Sequence, residues 1–216
     1  MIEIKFSPEL MAKYGNYVIQ QKDKWRIPKA IWYKLDWRND KLRNLHKWFC
    51  ESLEEIGEDS KFMAKVTFFN TIKDPNLKAV AILRYVKRIL TYISDETVWY
   101  VKEKWQTPLE TWTIRTGDCE DGAILLAAFF SICGISSKQW SVVCGDVKGG
   151  GHAYFLFTSN LNAITYVLDW CYWYNSDTIP KRKTFFKDLK YYDVWFGFNN
   201  MKSWKKISNP NKKFVR

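Results

Sequence analysis

A turn that leads directly into an apolar helix places the strongest constraint on the fold of this chain. Gly117 and Asp118 precede Cys119, Glu120 and Asp121, and a run of apolar and small side chains follows. Glycine suits the turn and aspartate is a good N-cap, so the pattern predicts a buried helix that begins at Cys119. At that position free N–H groups and the helix dipole stabilise a thiolate. The two following acids either raise the thiol pKa or point to solvent and stabilise the helix dipole.

The composition indicates a globular protein with one well-filled core and an extension. Of the 216 residues, 47% are hydrophobic, and 12 Trp, 12 Tyr and 14 Phe predict an aromatic interior or an aromatic surface for a partner. No apolar run approaches the roughly 20 residues of a membrane span, and the N-terminus lacks the layout of a signal peptide. We therefore expect no membrane span and a cytoplasmic location.

The cysteines and the basic C-terminus bear on ligands and partners. The five cysteines form no C-x-x-C pair and no short metal-ligand spacing, so we expect no disulfide framework, no metal and no cofactor. The net charge is +11, and residues 197–216 contain six basic and no acidic side chains. Such a tail either docks on an anionic surface or a large assembly, or is a solubilising end.

The order of predicted elements indicates an α+β fold. Residues 1–37 form an irregular wrap with a short helix near 8–14, and an amphipathic helix runs from Asn39 to Gly57. Residues 60–72 are helix or strand, and Asp74-Pro75 opens a helix that ends near Ser94. The predicted strands lie at 140–145, 152–157, 164–170 and 191–198. The predicted organisation is a helical or irregular N-terminal extension (1–75), a main domain (76–198) and a basic tail (199–216).

Two of the predicted strands bring a histidine and an aspartate together. His152 opens the strand that follows three glycines, and Asp169 closes the next one. A hairpin with its turn near residues 160–161 would set these two positions opposite each other on one face. The carboxylate could then orient the imidazole. The start of the predicted helix at Cys119 has only to pack against this face to complete a Cys–His–Asp triad.

Each candidate residue has a chemical role. His152 takes the thiol proton of Cys119 and later protonates the leaving amine, while Asp169 fixes the orientation and tautomer of the ring. The backbone N–H of Cys119 is one expected oxyanion donor. The second is the indole of Trp105 or the amide of Gln106.

Several separated motifs resemble the transglutaminase-like superfamily, and most closely its bacterial transglutaminase-like cysteine proteinase branch. They are Trp105-Gln106-Thr107-Pro108 with Glu110-Thr111, Gly117-Asp118-Cys119-Glu120-Asp121 with Ala123-Ile124-Leu125, Gly151-His152-Ala153, and Leu168-Asp169. The resemblance covers residues 76–175. It implies a papain-like fold in which a nucleophile helix packs on an antiparallel sheet, with Cys119, His152 and Asp169 as the triad.

These features predict a cysteine-nucleophile acyl-transfer enzyme that acts on a protein or peptide substrate through a thioester. It is a peptidase or amidase if water accepts the acyl group, and a transglutaminase if an amine does. The alternative is a structural or binding component of a larger assembly, such as a virion-associated bacteriophage protein, that keeps the fold without turnover. A nucleic-acid-binding domain is a weaker alternative, because no groove-reading or base-stacking motif is recognisable.

Overall fold

The computed structural model describes residues 45–174 and 178–205. The irregular wrap predicted at 1–37, with its short helix near 8–14, lies outside the described residues. So does most of the predicted basic tail. Within the described ranges, no helix combines the length and the hydropathy that crossing a bilayer requires.

The first part of the described chain consists of three helices. They are α1 (Leu45–Gly57), α2 (Ser60–Asn70) and α3 (Pro75–Ile89). Asp59 and Asp74 cap α2 and α3, and each carboxylate accepts the backbone N–H three residues later, at 2.7 and 2.8 Å. The segment that the sequence left open between helix and strand is therefore α2. The third helix ends five residues earlier than predicted, because the backbone is already extended at Leu90.

Four short elements then lead to the predicted nucleophile helix. They are β1 (Thr91–Tyr92), α4 (Asp95–Val98), α5 (Pro108–Ile114) and β2 (Thr116–Gly117). Strands β1 and β2 pair in parallel, and the N–H of Ile93 donates to the carbonyl of Gly117 at 3.0 Å. This pairing fixes the turn immediately before Cys119.

Helix α6 (Cys119–Ile132) begins where the sequence predicts, and a five-stranded antiparallel sheet follows it. The strands are β3 (Trp140–Val147), β4 (Gly150–Thr158), β5 (Thr165–Leu168), β6 (Phe196–Phe198) and β7 (Ser203–Lys205), in the spatial order β5-β4-β3-β6-β7. Single 3₁₀ turns lie at Ile179–Lys181 and Phe185–Lys187. The predicted α+β architecture is confirmed, although the strand predicted at 191–198 is limited to β6.

Helix α6 lies between the other helices and the sheet, and aromatic rings fill both interfaces. Phe129 stacks on Phe62 of α2 at 4.2 Å, and Phe130 meets Phe155 of β4 edge to face at 4.6 Å. Phe49 of α1 contacts Phe198 of β6. The helices α1 and α2 therefore share the core of the main domain, while the domain boundaries stay a prediction.

Candidate active site

Cys119 is held at the start of α6 by contacts from β4 and from the turn that follows β5. Its Sγ accepts the backbone N–H of Ala153 at 3.4 Å, and its thiol donates to Glu120 Oε2 at 3.2 Å. Its carbonyl oxygen accepts the indole N–H of Trp170 at 3.1 Å. The thiol is only partly exposed, and it lies beside the residue that follows His152 in β4. The predicted packing of the helix start against the hairpin is therefore present.

The imidazole of His152 is fixed by a fully buried carboxylate. His152 Nε2 lies 2.8 Å from Asp169 Oδ2, which also accepts the hydroxyl of Tyr191 at 2.8 Å. The other oxygen, Oδ1, accepts the backbone N–H of Cys171 at 2.9 Å. Because Asp169 binds the ring at Nε2, the remaining ring nitrogen, Nδ1, is the one that can exchange a proton with a thiol.

The hairpin register differs from the prediction by two residues. Phe155 pairs with Leu168, so this register places Asp169 level with Tyr154 and not with His152. The prediction that positions 152 and 169 are directly opposite is therefore wrong. A shift by an even number leaves each side chain on its original face of the sheet, so the two residues are diagonal neighbours and still meet.

The predicted oxyanion donors have different partners. The side chain of Trp105 has a single hydrogen-bond donor, the indole N–H, which donates to Glu103 Oε1 at 3.1 Å. The amide Nε2 of Gln106 donates one hydrogen to Asp121 Oδ2 at 2.8 Å and has a second one to give. Among the described groups, none accepts the backbone N–H of Cys119. The oxyanion roles stay predictions, and these bonds favour Gln106 over Trp105.

The two acids that follow the cysteine do not point to solvent, so that alternative is wrong. Glu120 and Asp121 are buried, at 1% and 0% exposure. Asp121 accepts the backbone and side-chain N–H groups of Gln106, both at 2.8 Å, and the backbone N–H of Asp118 at 3.1 Å. Asp121 thus ties the loop of Gln106 to the start of α6. Burial is the main cause that raises the pKa of both carboxyls.

A cluster of four acids surrounds the thiol on the side of α4. Ligand oxygens of Asp95, Glu103 and Glu120 lie within 4.8 Å of one another, and Asp118 forms a similar group with Cys119 and Glu120. Three buried oxygens of this cluster have no hydrogen-bond partner among the residues that the structure describes: Asp95 Oδ1, Asp118 Oδ1 and Glu120 Oε1. Sequence reasoning missed this cluster, because Asp95 begins α4, Glu103 lies in the loop after α4, and neither shares a motif with α6.

Burial in this cluster changes the protonation of its members. Loss of solvation is the main cause that raises the pKa of Asp95 to about 7, and the neighbouring charge of Asp118 adds to it. The same two causes raise the pKa of the Cys119 thiol to about 12. The Cys119 thiol is therefore protonated at neutral pH, in agreement with the hydrogen bond that it donates to Glu120.

A pocket of about 410 Å³ opens beside the imidazole. It is lined by Lys87, Leu90, Tyr92, His152, Trp170, Cys171 and Tyr172. Three of these seven side chains are aromatic and one is cationic. Its volume is within the range of about 300–1,000 Å³ that is usual for ligand pockets.

Comparison with solved structures identifies the fold. Calcium-bound Legionella pneumophila LapG matches with a TM-score of 0.52 and 16% identity, over 77% of this chain and 93% of that chain. The EGTA-treated form of LapG matches with a TM-score of 0.51 and 18% identity, over 74% and 86%. The chain has the transglutaminase-like fold. No protein-family model matches the sequence, and no curated protein matches it.

The comparison confirms the predicted transglutaminase-like fold and leaves the chemistry to be argued from the site. Neither LapG structure bears on a bacteriophage or virion role, so that alternative stays a prediction. The contact of His152 with Asp169, and of the Cys119 sulfur with the residue after His152, is the feature on which a function can be proposed.

Proposed function

We propose that the protein is a cysteine peptidase or amidase in which Cys119, His152 and Asp169 form the catalytic triad. The observation that carries the proposal is the 2.8 Å contact of His152 Nε2 with the buried Asp169. It orients a ring next to a cysteine on the first turn of a helix, where the sulfur contacts Ala153 N–H. A thiol, a base and a group that orients the base are the parts that nucleophilic acyl transfer requires.

The steps follow from the two nitrogens of the ring. Asp169 accepts the Nε2–H, so Nδ1 of His152 takes the proton of the Cys119 thiol. The thiolate attacks the substrate carbonyl carbon, and the C–N bond of the tetrahedral intermediate breaks as Nδ1–H gives its proton to the departing amine. A thioester to Cys119 remains. Water then attacks the thioester with Nδ1 as base, which releases a carboxylic acid and restores the thiol.

The same residues hold the charge that develops during these steps. The backbone N–H of Cys119 and the second amide hydrogen of Gln106 are the donors proposed for the oxyanion. Gln106 is immobilised by two hydrogen bonds to Asp121, so its amide is already oriented before the substrate binds. Hydrolysis is proposed over amine transfer because the pocket beside His152 is open to water.

We also propose that the acidic cluster binds a divalent cation, and calcium in particular. LapG is calcium-bound in one of the two matched structures. Here the residues fit such an ion, because Glu120 belongs to two groups of candidate ligands, one with Asp95 and Glu103 and one with Asp118. Within the described ranges, buried oxygens of Asp95, Asp118 and Glu120 have no hydrogen-bond partner. The bound ion would supply positive charge that offsets the carboxylates and lowers the pKa of Cys119.

The test of the triad uses a library of peptides from a digested proteome, with the new N-termini identified by mass spectrometry. The parent protein with 1 mM calcium should cut defined sites, and Cys119→Ala and His152→Ala should cut none. Cys133→Ala is the matched control, because this thiol lies at the other end of α6 and should not affect cleavage. Cleavage by Cys119→Ala at the parental sites would overturn the proposal.

The test of the cation uses thermal unfolding and calorimetric titration of the intact chain with calcium chloride. At a calcium concentration about 100 times Kd, binding stabilises the fold by about 2.7 kcal/mol, which raises Tm by about 5 °C or more. Glu120→Gln should abolish this shift, whereas Glu54→Gln, on the exposed surface of α1, should keep it. Equal shifts in both variants would place the ion elsewhere.

A further inference from the structure

The pocket beside His152 has a lysine in its wall. Lys87 projects from α3, and its Nζ donates to the carbonyl oxygens of Trp170 and Cys171 at 3.0 and 3.5 Å. These two contacts hold the ammonium at the pocket wall. An ammonium has three hydrogens, so one remains for a ligand. Within the described part of the chain, Lys87 has no carboxylate partner.

A second cation reaches the same pocket across an aromatic ring. Lys190 Nζ lies 2.9 Å from the ring centroid of Tyr172, and that ring lies 5.3 Å from the ring of His152. Tyr172 lines the pocket and is 44% exposed. The cation–π contact thus brings the charge of Lys190 to the pocket rim without neutralising it.

The segment that carries Lys190 is predominantly positive. Residues 181–190 carry five basic side chains and one acid, Asp188. Asp169, which lies behind His152, is fully buried and already accepts three hydrogen bonds. The acids grouped around Cys119 do not line the pocket. The site is therefore polarised, with negative charge at the thiol and positive charge at the pocket.

The chemistry of the triad assigns this pocket to one side of the scissile bond. His152 gives its proton to the departing amine, so the part of the substrate that follows the broken bond leaves past the imidazole. The pocket is lined by His152, whereas Cys119 and Gln106, which would hold the acyl carbon and the oxyanion, do not line it. The pocket therefore faces the leaving-group side of the substrate.

We propose that this pocket binds an acidic side chain, Asp or Glu, of a polypeptide substrate within the first residues after the scissile bond, through Lys87 and Lys190. The aromatic walls made by Tyr92, Trp170 and Tyr172 contact the methylene groups of that side chain, and the two ammonium groups contact its carboxylate. The proposal rests on the proposed peptidase function and names its substrate class.

The experiment compares peptides that differ only after the cleaved bond. A peptide sequence found with the proteome-derived library is made with Glu, Gln or Lys at each of the three positions that follow the bond. The parent should prefer Glu over Gln at one position by about five- to tenfold in kcat/KM. Lys190→Gln, which leaves Lys87 in place, should lower this ratio, and Lys190→Glu should lower it further, whereas an unchanged ratio in both variants would overturn the proposal.

The controls separate this proposal from the peptidase proposal. Lys138 lies beyond the end of β3 that is farther from Lys190. Lys138→Glu makes the same charge change as Lys190→Glu and should keep the parental preference. Anisotropy titrations of the Cys119→Ala variant measure binding without turnover. This variant should bind a fluorescein-labelled decapeptide with two Glu residues more tightly than the same peptide with two Gln residues. Equal or undetectable binding of both peptides overturns the acidic pocket. Absence of cleavage with retained Glu preference in binding overturns only the peptidase.

Discussion

Gly122 gives the sharpest test of how the site is held together, because Trp170 occupies the space beside it. A Cβ at position 122 would lie 2.2 Å from Trp170 Nε1 and 2.3 Å from its Cε2. The Gly122→Ala substitution therefore forces the indole off α6 and breaks its hydrogen bond to the carbonyl of Cys119. Since Trp170 directly follows Asp169, displacement of the indole also moves the carboxylate that orients His152.

The expected loss of stability is the balance of three effects. Overpacking against the ring costs about 1–3 kcal/mol, and the lost indole hydrogen bond costs about 1 kcal/mol. Alanine in place of glycine within a helix stabilises the folded state by about 1 kcal/mol. We expect Gly122→Ala to lower the free energy of unfolding by about 1–3 kcal/mol. A shift of the Asp169 backbone near 1 Å would lower kcat/KM by about 100-fold.

Urea denaturation followed by circular dichroism measures the stability, and cleavage of the best library peptide measures kcat/KM. Gly57→Ala is the matched control, because nothing lies within 4 Å of a Cβ at that position and the variant should be as stable as the parent or more. In the double variant with Trp170→Phe, the smaller ring leaves room for the new methyl group. The losses of stability caused by Gly122→Ala and by Trp170→Phe should therefore be non-additive by about 1 kcal/mol or more. Parental stability of Gly122→Ala, or strict additivity, would refute the reasoning.

Two further predictions concern the charged groups of the site. Tyr191→Phe removes one of the three hydrogen bonds to Asp169, so kcat should fall about tenfold with little change in KM, and an unchanged kcat would contradict the positioning role. In EGTA, a Cys119 pKa of about 12 means that the thiolate fraction rises with pH. Iodoacetamide labelling of Cys119, mapped by mass spectrometry, should then accelerate about tenfold per pH unit from about pH 7 to about pH 10, and a plateau below about pH 9 would show a lower pKa.

The contact of His152 with Asp169 could be predicted from the sequence because it depends on which face of the sheet each side chain occupies more than on the exact register. The loop after β4 consists of residues 159–164, and Ala163 within it has a φ of 55°. A non-glycine residue in that conformation gives no clear signal in a sequence. The centre of the hairpin lies one residue later than predicted, which shifts the register by two. An even shift preserves the face, so His152 and Asp169 still meet.

The surroundings of the thiol could not be predicted in the same way. Acidic residues in the first turn of a helix usually face solvent, where they stabilise the helix dipole. The burial of Glu120 and Asp121 results from two segments that pack on the helix start, α4 with Asp95 and the loop with Gln106. Such contacts between distant segments leave no periodic pattern. The same holds for Trp170, whose fit depends on the absence of a side chain at a position one turn into α6.

Two unfavourable features of this site have one physical origin. The thiol donates to Glu120 and has a raised pKa, which opposes formation of the nucleophile. Glu120 itself is buried with one oxygen that has no partner, which opposes folding. Both effects come from negative charge that is poorly solvated and not offset by a cation. A single cation held by Asp95, Glu103, Asp118 and Glu120 would relieve both effects. It would bind the unpaired oxygens, and it would release the thiol from its hydrogen bond to Glu120, so that the thiol proton could pass to His152.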